Sequence, residues 1–169
     1  MTPFLVPAVL AHGRWCPAGD VDLLSRRLHR CAVAAIGAHA ERVVVVVPRS
    51  TAGVALVLAA TALDIPVVLL PPEPRAWVSE PPLPSVTTFL LLPENATLAD
   101  DVSRLGHRPA VLETDHADAP PIELLRVPAM TWFTSGSTGL PRPVSRTRDA
   151  IVACVEQRLA SLPLPTGLG

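Results

Sequence analysis

Residues 42–48 read Arg-Val-Val-Val-Val-Val-Pro. β-branched side chains are stiff and pack well on a pleated surface. A run that is apolar at every position has no face left for water. It fits a strand covered on both sides, as in the middle of a parallel sheet. The next residues suit the same architecture. Ser50 is placed to cap a helix over Thr51 to Leu63, and Pro66-Val-Val-Leu-Leu-Pro71 reads as the next strand. This strand–helix–strand spacing predicts a right-handed crossover within an α/β fold: a doubly wound, mainly parallel sheet with flanking helices.

The remaining segments are shorter. Asp20 is a candidate N-cap for a helix over Val21 to Ala40, with Val21, Leu24, Leu28, Cys31 and Ala35 at helical spacing. Pro71 to Pro84 is proline-dense and reads as loop, with at most one turn around Arg75 to Ser79. Strands are expected over Thr87 to Leu92, Ala110 to Glu113 and, weakly, Ile122 to Val127. Helices are expected over Thr97 to Leu105 and Arg148 to Leu162. The chain thus divides into a leading helix region (1–41), a strand–helix–strand unit (42–72), a proline-rich part with short units (73–129) and a final unit (130–162). Leu162 to Gly169 holds nothing that would finish a domain, so the expectation is a front portion of something longer.

Composition narrows the function classes. With 14 basic and 15 acidic residues the net charge is −1, which gives no general pull toward nucleic acid or an anionic membrane. Val43 to Leu70 is very apolar, but Pro48, Arg49, Asp64 and Pro66 divide it, so no piece approaches the ~20 residues needed to span a bilayer. The three cysteines, Cys16, Cys31 and Cys154, have no paired spacing, which disfavours both a disulfide framework and a cysteine zinc site. A reducing, cytoplasmic compartment fits, and the first residues lack the positive leading segment of a signal peptide. All basic side chains are arginine, because the sequence contains no lysine.

The chemistry is concentrated in Met130 to Val144, MTWFTSGSTGLPRPV. Gly136 and Gly139 permit positive φ and close backbone approach to a ligand. Successive N–H groups in such a turn converge into an anion-holding nest. The hydroxyls of Thr134, Ser135, Ser137 and Thr138 add donors, and Arg142 adds a permanent positive charge. A strand before the loop and a helix after it would mount it at the sheet edge where open α/β folds bind ligands. The pattern is neither G-x-x-x-x-G-K-[ST] nor G-x-G-x-x-G. A flexible Ser/Gly linker is the competing reading, which Trp132-Phe133 before the loop and Pro141-Arg142-Pro143 after it disfavour.

Phe133-Thr-Ser-Gly-Ser-Thr-Gly-Leu-Pro141 resembles the phosphate-binding signature of the adenylate-forming (AMP-binding) superfamily, which includes acyl-CoA synthetases, aryl-acid ligases, luciferases and peptide-synthetase adenylation domains. Arg42 to Pro72 adds a weaker likeness to the family's early region. The resemblance implies a large α/β N-terminal domain followed by a small mobile one, of which 1–169 would be the leading part. It implies that a carboxylate attacks the α-phosphorus of Mg-ATP, giving an acyl-adenylate and pyrophosphate, and that a thiol or amine then displaces AMP. ATP and Mg2+ are the implied cofactors. The implied partners are a carboxylic acid, an acceptor such as coenzyme A or an acyl carrier protein, and the remainder of the enzyme. Thr134, Ser135, Gly136, Ser137, Thr138 and Gly139, with Arg142, would hold the β- and γ-phosphates. The family continues Pro-Lys-Gly where this chain has Pro141-Arg142-Pro143. The family's aromatic-Gly-x-Thr-Glu segment, ribose-binding aspartate, hinge and C-terminal lysine have no counterpart here. The expected explanations, in order, are a longer enzyme, a partner that supplies the rest, and a remnant that keeps the loop as a non-catalytic nucleotide-binding or interaction module.

Other clusters carry less. Glu113, Asp115, His116 and Asp118 fit a solvated acidic loop better than a hard-metal site. His12 and Cys16 lack a second pair of ligands. His29 and His39 read as surface residues of the first helix, and Cys154 as a core position on an apolar helix face.

Overall fold

The computed structural model describes residues 8–11, 14–37, 40–72, 86–113, 130–134 and 142–147, with residues 149–151, 153, 154 and 157 in a helical segment. The expected turn at Arg75 to Ser79 and strand at Ile122 to Val127 lie outside these residues.

The chain opens with a two-stranded antiparallel hairpin, β1 (Ala8–Ala11) and β2 (Arg14–Pro17). The sequence reading placed no strand there. Helix α1 (Ala18–Ile36) starts earlier and stops sooner than its periodicity suggested. Pro17, not Asp20, precedes its first turn, and Asp20 sits within that turn, where a negative charge opposes the positive end of the helix dipole. Gly37, at φ 73°, ends it in a backbone conformation that a side chain would strain.

The valine run becomes β3 (Val43–Val46), followed by α2 (Thr51–Ala60) and β4 (Val67–Leu70). β3 pairs in parallel with β4 on one side and with β5 (Thr88–Leu91) on the other. All four β3 valines are 0% exposed, so each contributes the ~1.5–3 kcal/mol of a fully buried aliphatic side chain. The pleat sends them alternately to two cores. Val43 and Val45 join α1 and α2 through Leu28, Ala32, Leu56 and Ala59. Val44 and Val46 join Phe89, Leu91 and Val102 on the opposite face. Val102 belongs to α3 (Ala99–Arg104), which a 3-10 segment (Pro93–Leu98) leads into. Helices therefore cover both faces of the sheet, as expected for a doubly wound fold.

β5 also pairs in parallel with β6 (Arg108–Val111), and β4 with β7 (Met130–Thr134). β7 then pairs antiparallel with β8 (Arg142–Arg146), giving the order β6-β5-β3-β4-β7-β8. The sequence reading placed no strand between the Gly/Ser/Thr loop and the helix expected from Arg148; the structure adds β8 there, and helical residues begin at 149. Pro143 fits there because β8 ends the order of described strands, where a missing N–H is tolerated.

Two residues give the fold measurable handles. A Cβ built on Gly53, in the first turn of α2, would overlap the carbonyl oxygen of Pro48. Gly53→Ala should lower unfolding free energy by about 2–3 kcal/mol, the scale of forced overpacking, as read by urea titration. His107 stacks on Phe89 with ring centroids 5.2 Å apart, and its Nδ1 is buried without a hydrogen-bond partner. Burial lowers its pKa below the ordinary 6.5. The neutral ring therefore stabilises the fold above about 6.5, and this contribution is lost as pH falls through the lower folded value. His107→Gln should flatten the dependence of the urea midpoint between about pH 7.5 and 5; an unaltered slope would assign that dependence to other groups.

Candidate functional site

Because β3, β4, β5 and β7 run parallel, the segments that leave their carboxyl ends emerge at one edge of the sheet. β3 connects through α2 to β4 on one side. β5 connects through α3 to β6 on the other. The adjacent strands β3 and β5 therefore mark the point where the winding reverses, the position at which open α/β sheets form a crevice. An open cleft of about 360 Å³ lies there, lined by Arg49 and Ser50 after β3, Pro72 after β4, and Glu94, Asn95 and Thr97 after β5.

Side-chain bonds fix the walls of this cleft. Ser50 Oγ accepts from the Gly53 N–H at 3.1 Å, capping α2 as expected, and donates to Glu94 Oε1 at 2.6 Å. The Glu94 carboxylate thus sits at the positive end of α2. Asn95 is 6% exposed, and both ends of its amide are used. Its Oδ1 accepts from the Leu92 N–H at 2.7 Å and its Nδ2 donates to the Val46 carbonyl at 3.3 Å. These bonds join the segment after β5 to β3 and α2 across the crevice. The sequence reading used Ser50 only as a cap and did not single out Glu94 or Asn95. The signal available was a polar Glu-Asn pair directly after an apolar strand.

The Gly/Ser/Thr loop emerges at the same edge. β7 pairs with β4 so that Trp132 lies opposite Leu69. Continuing that register puts Thr134 level with Pro71, about 10 Å across the sheet from the end of β3 at the usual strand spacing. Thr134 and Arg142 face one another as the last pair of the β7–β8 ladder, on either side of residues 135–141 in the sequence. A hydrogen bond of 2.7 Å between the Thr131 and Ser145 hydroxyls, directly opposite one another, holds that register. Of the predicted phosphate-binding residues, the structure places the backbones of Thr134 and Arg142 together; Ser135, Gly136, Ser137, Thr138 and Gly139 lie outside the described residues.

Other candidates separate. Among the described residues no group of His, Cys, Asp or Glu could hold a metal. His29, expected at the surface, sits between two helices with Nδ1 3.1 Å from the Ala59 carbonyl. Cys154, expected in the core, is exposed, and Cys16 and Cys31 are half-buried free thiols. His12, His39, Asp115, His116 and Asp118 lie outside the described residues. No helix among the described residues is long and apolar enough to cross a membrane.

No family model and no curated protein matches the sequence. Solved structures do match its fold. An amide bond synthetase, McbA from Marinactinospora thermotolerans, aligns over 90% of this chain and 34% of its own, with 23% identity and a TM-score of 0.69. ATP-bound MatB from Rhodopseudomonas palustris aligns over 92% of this chain and 35% of its own, with 15% identity and a TM-score of 0.64. The N-terminal domain of FACL13 from Mycobacterium tuberculosis aligns over 90% of this chain and 42% of its own, with 17% identity and a TM-score of 0.60. The chain thus spans between 34% and 42% of the length of these three. At such identities the likeness is one of fold: a mixed sheet of mainly parallel strands with flanking helices, matching the N-terminal domain of adenylate-forming enzymes.

Proposed function

We propose that this chain is the leading, phosphate-gripping part of an ATP-dependent ligase that activates a carboxylic acid as its acyl-adenylate, releases pyrophosphate and passes the acyl group to a thiol or amine. The observation that carries the reading is Phe133-Thr-Ser-Gly-Ser-Thr-Gly-Leu-Pro141, springing from a β-hairpin stem at the carboxyl edge of a sheet with this fold. In this role Thr134, Ser135, Gly136, Ser137, Thr138 and Gly139 hold the β- and γ-phosphates with backbone and hydroxyl donors. Arg142 supplies positive charge bidentately. Charge grows on the departing pyrophosphate as the carboxylate attacks, so donors fixed there favour the transition state over bound ATP. Mg2+ would neutralise the phosphates.

The acceptor in this reading is coenzyme A, a carrier protein or an amine. McbA is an amide bond synthetase, and MatB was captured with ATP. The alternative reading is a non-catalytic nucleotide-binding or interaction module that retains the phosphate loop.

Isotope exchange between pyrophosphate and ATP by the complete natural polypeptide, with a panel of carboxylic acids, separates the two. The ligase reading predicts acid-dependent exchange that falls by about 10²-fold or more in Thr138→Val and Gly136→Asp, the cost of losing a donor at developing charge. Exchange undiminished in both variants would overturn it. ATP binding with no exchange for any acid would favour the module.

A further inference from the structure

We infer that the amino edge of the sheet, opposite the Gly/Ser/Thr loop, holds a binding site for a phosphate group, with Arg42 Nε and His107 Nδ1 as donors and Thr87 between them. Backbone register brings these residues together. Val43 pairs with Thr88, and Thr88 pairs with Arg108. One step back along each segment, Arg42, Thr87 and His107 stand level at the starts of β3, β5 and β6. The Arg108 N–H still donates to the Thr87 carbonyl there, at 3.0 Å. Strand alternation sets all three on one face. Arg42 falls with Val44 and Val46, and Thr87 with Phe89 and Leu91, which all pack toward α3. His107 shares that face, because its ring stacks on Phe89. Thr87 is 3% exposed.

Two buried nitrogens in this row, Arg42 Nε and His107 Nδ1, have no hydrogen-bond partner. A donor buried without an acceptor costs free energy, and two in one row point to a shared acceptor. Arg26 and Arg27 also bury an Nε in this way, but Arg26 pairs with Asp22 and Arg27 has other partners. No carboxylate among the described residues pairs with Arg42. Alternation puts Glu41 on the opposite face, Asp101 of α3 is paired with Arg104 at 3.0 Å, and β4 brings Pro66 to the level of Arg42. The missing acceptor is therefore an anion from outside these elements. With β5 between them, the backbones of Arg42 and His107 are about 10 Å apart. The oxygens of a tetrahedral oxyanion diverge, so one can face Arg42 and another His107, each at about 2.8 Å. A carboxylate directs both of its oxygens to one side. The guanidinium matches phosphate geometry, and a neutral imidazole that carries its proton on Nδ1 supplies the second donor. Both side chains are half-buried, which leaves the ion a way in. The site is independent of the ligase reading.

NMR of the His107 ring, with inorganic phosphate added to the chain at constant ionic strength, tests it. The ring reports on this edge, so phosphate on the loop at the other edge does not register. The ring signals should shift saturably. The His107 pKa, which burial holds below 6.5, should rise while the ion is bound, because a nearby anion favours the charged ring. Arg42→Gln should weaken binding about tenfold or more, the loss of a charge-assisted bond. Arg42→Lys keeps the charge and the aliphatic stem, so it should fold as wild type and weaken binding by an intermediate amount. Arg108→Gln, at the exposed neighbouring position, should leave binding unaltered. Glycerol 3-phosphate distinguishes the sources of the group: binding with the same dependence on Arg42 assigns a phosphate ester, and binding of inorganic phosphate alone assigns the free ion. A shift that never saturates, one equal in wild type and both Arg42 variants, or an equal response to acetate would overturn the inference and leave the two nitrogens to water.

Discussion

Everything in this fold leans on the double burial of β3. Four adjacent valines, each without contact to water, demand apolar cover above and below the sheet. The chain meets that demand with α1 and α2 on one face and α3 on the other. The same burial puts β3 in the interior of the sheet, paired in parallel on both sides. Once it is central, the next strand must go to one side and a later one to the other. The reversal of winding, and the crevice it opens, are consequences of one apolar run.

A crevice is useful only if its walls hold still. Here they are held by short polar links at the ends of apolar elements. Gly53 lets α2 start directly against the Pro48 carbonyl, Ser50 joins that start to Glu94, and the buried Asn95 amide ties the segment after β5 back to β3. Buried amides cost little when every bond is made and much when one is lost, so Asn95 fixes geometry more than it adds stability. The Thr131–Ser145 hydroxyl pair plays the corresponding part in the hairpin stem.

Elements whose residues speak for themselves were legible in the sequence. The β3–α2–β4 unit, its Ser50 cap and β5 lie where β-branched runs and capping chemistry put them, within a residue or two at the strands. Elements decided by tertiary partners were not. β1 and β2 are two short strands that exist because they pair with one another, and their sequence has no alternation strong enough to announce them. β8 contains Pro143 and flanking arginines and reads as irregular; it forms because β7 offers it an edge. α1 was overextended because its apolar spacing continues past Gly37, where backbone geometry overrides periodicity. For the site, composition exposed the Gly/Ser/Thr loop at once. The Ser50–Glu94–Asn95 wall depends on residues 44 apart in sequence coming together, which no local pattern encodes.

The strand after the loop changes how a phosphate grip here must work. In a loop that opens directly into a helix, the helix terminus adds its own dipole and free N–H groups to the anion site. Here Arg142 begins a strand opposite Thr134, so the loop returns into the sheet it left. Strand dipoles largely cancel and add little field. In the proposed role, charge neutralisation therefore falls on the loop's own amides and hydroxyls, on the metal and on the Arg142 guanidinium. Thr134 and Arg142, the residues on either side of the loop, are held in one ladder. Pro141 and Pro143 flank Arg142 in the sequence, and a proline fixes its own φ. In the proposed role, Arg142 brings a planar, bidentate cation to that position in place of a mobile ammonium. In the proposed role, Arg142-Pro143 stands where the signature it resembles has Lys-Gly, and the two differences act together: a proline that fixes φ adjoins a bulkier, planar charge.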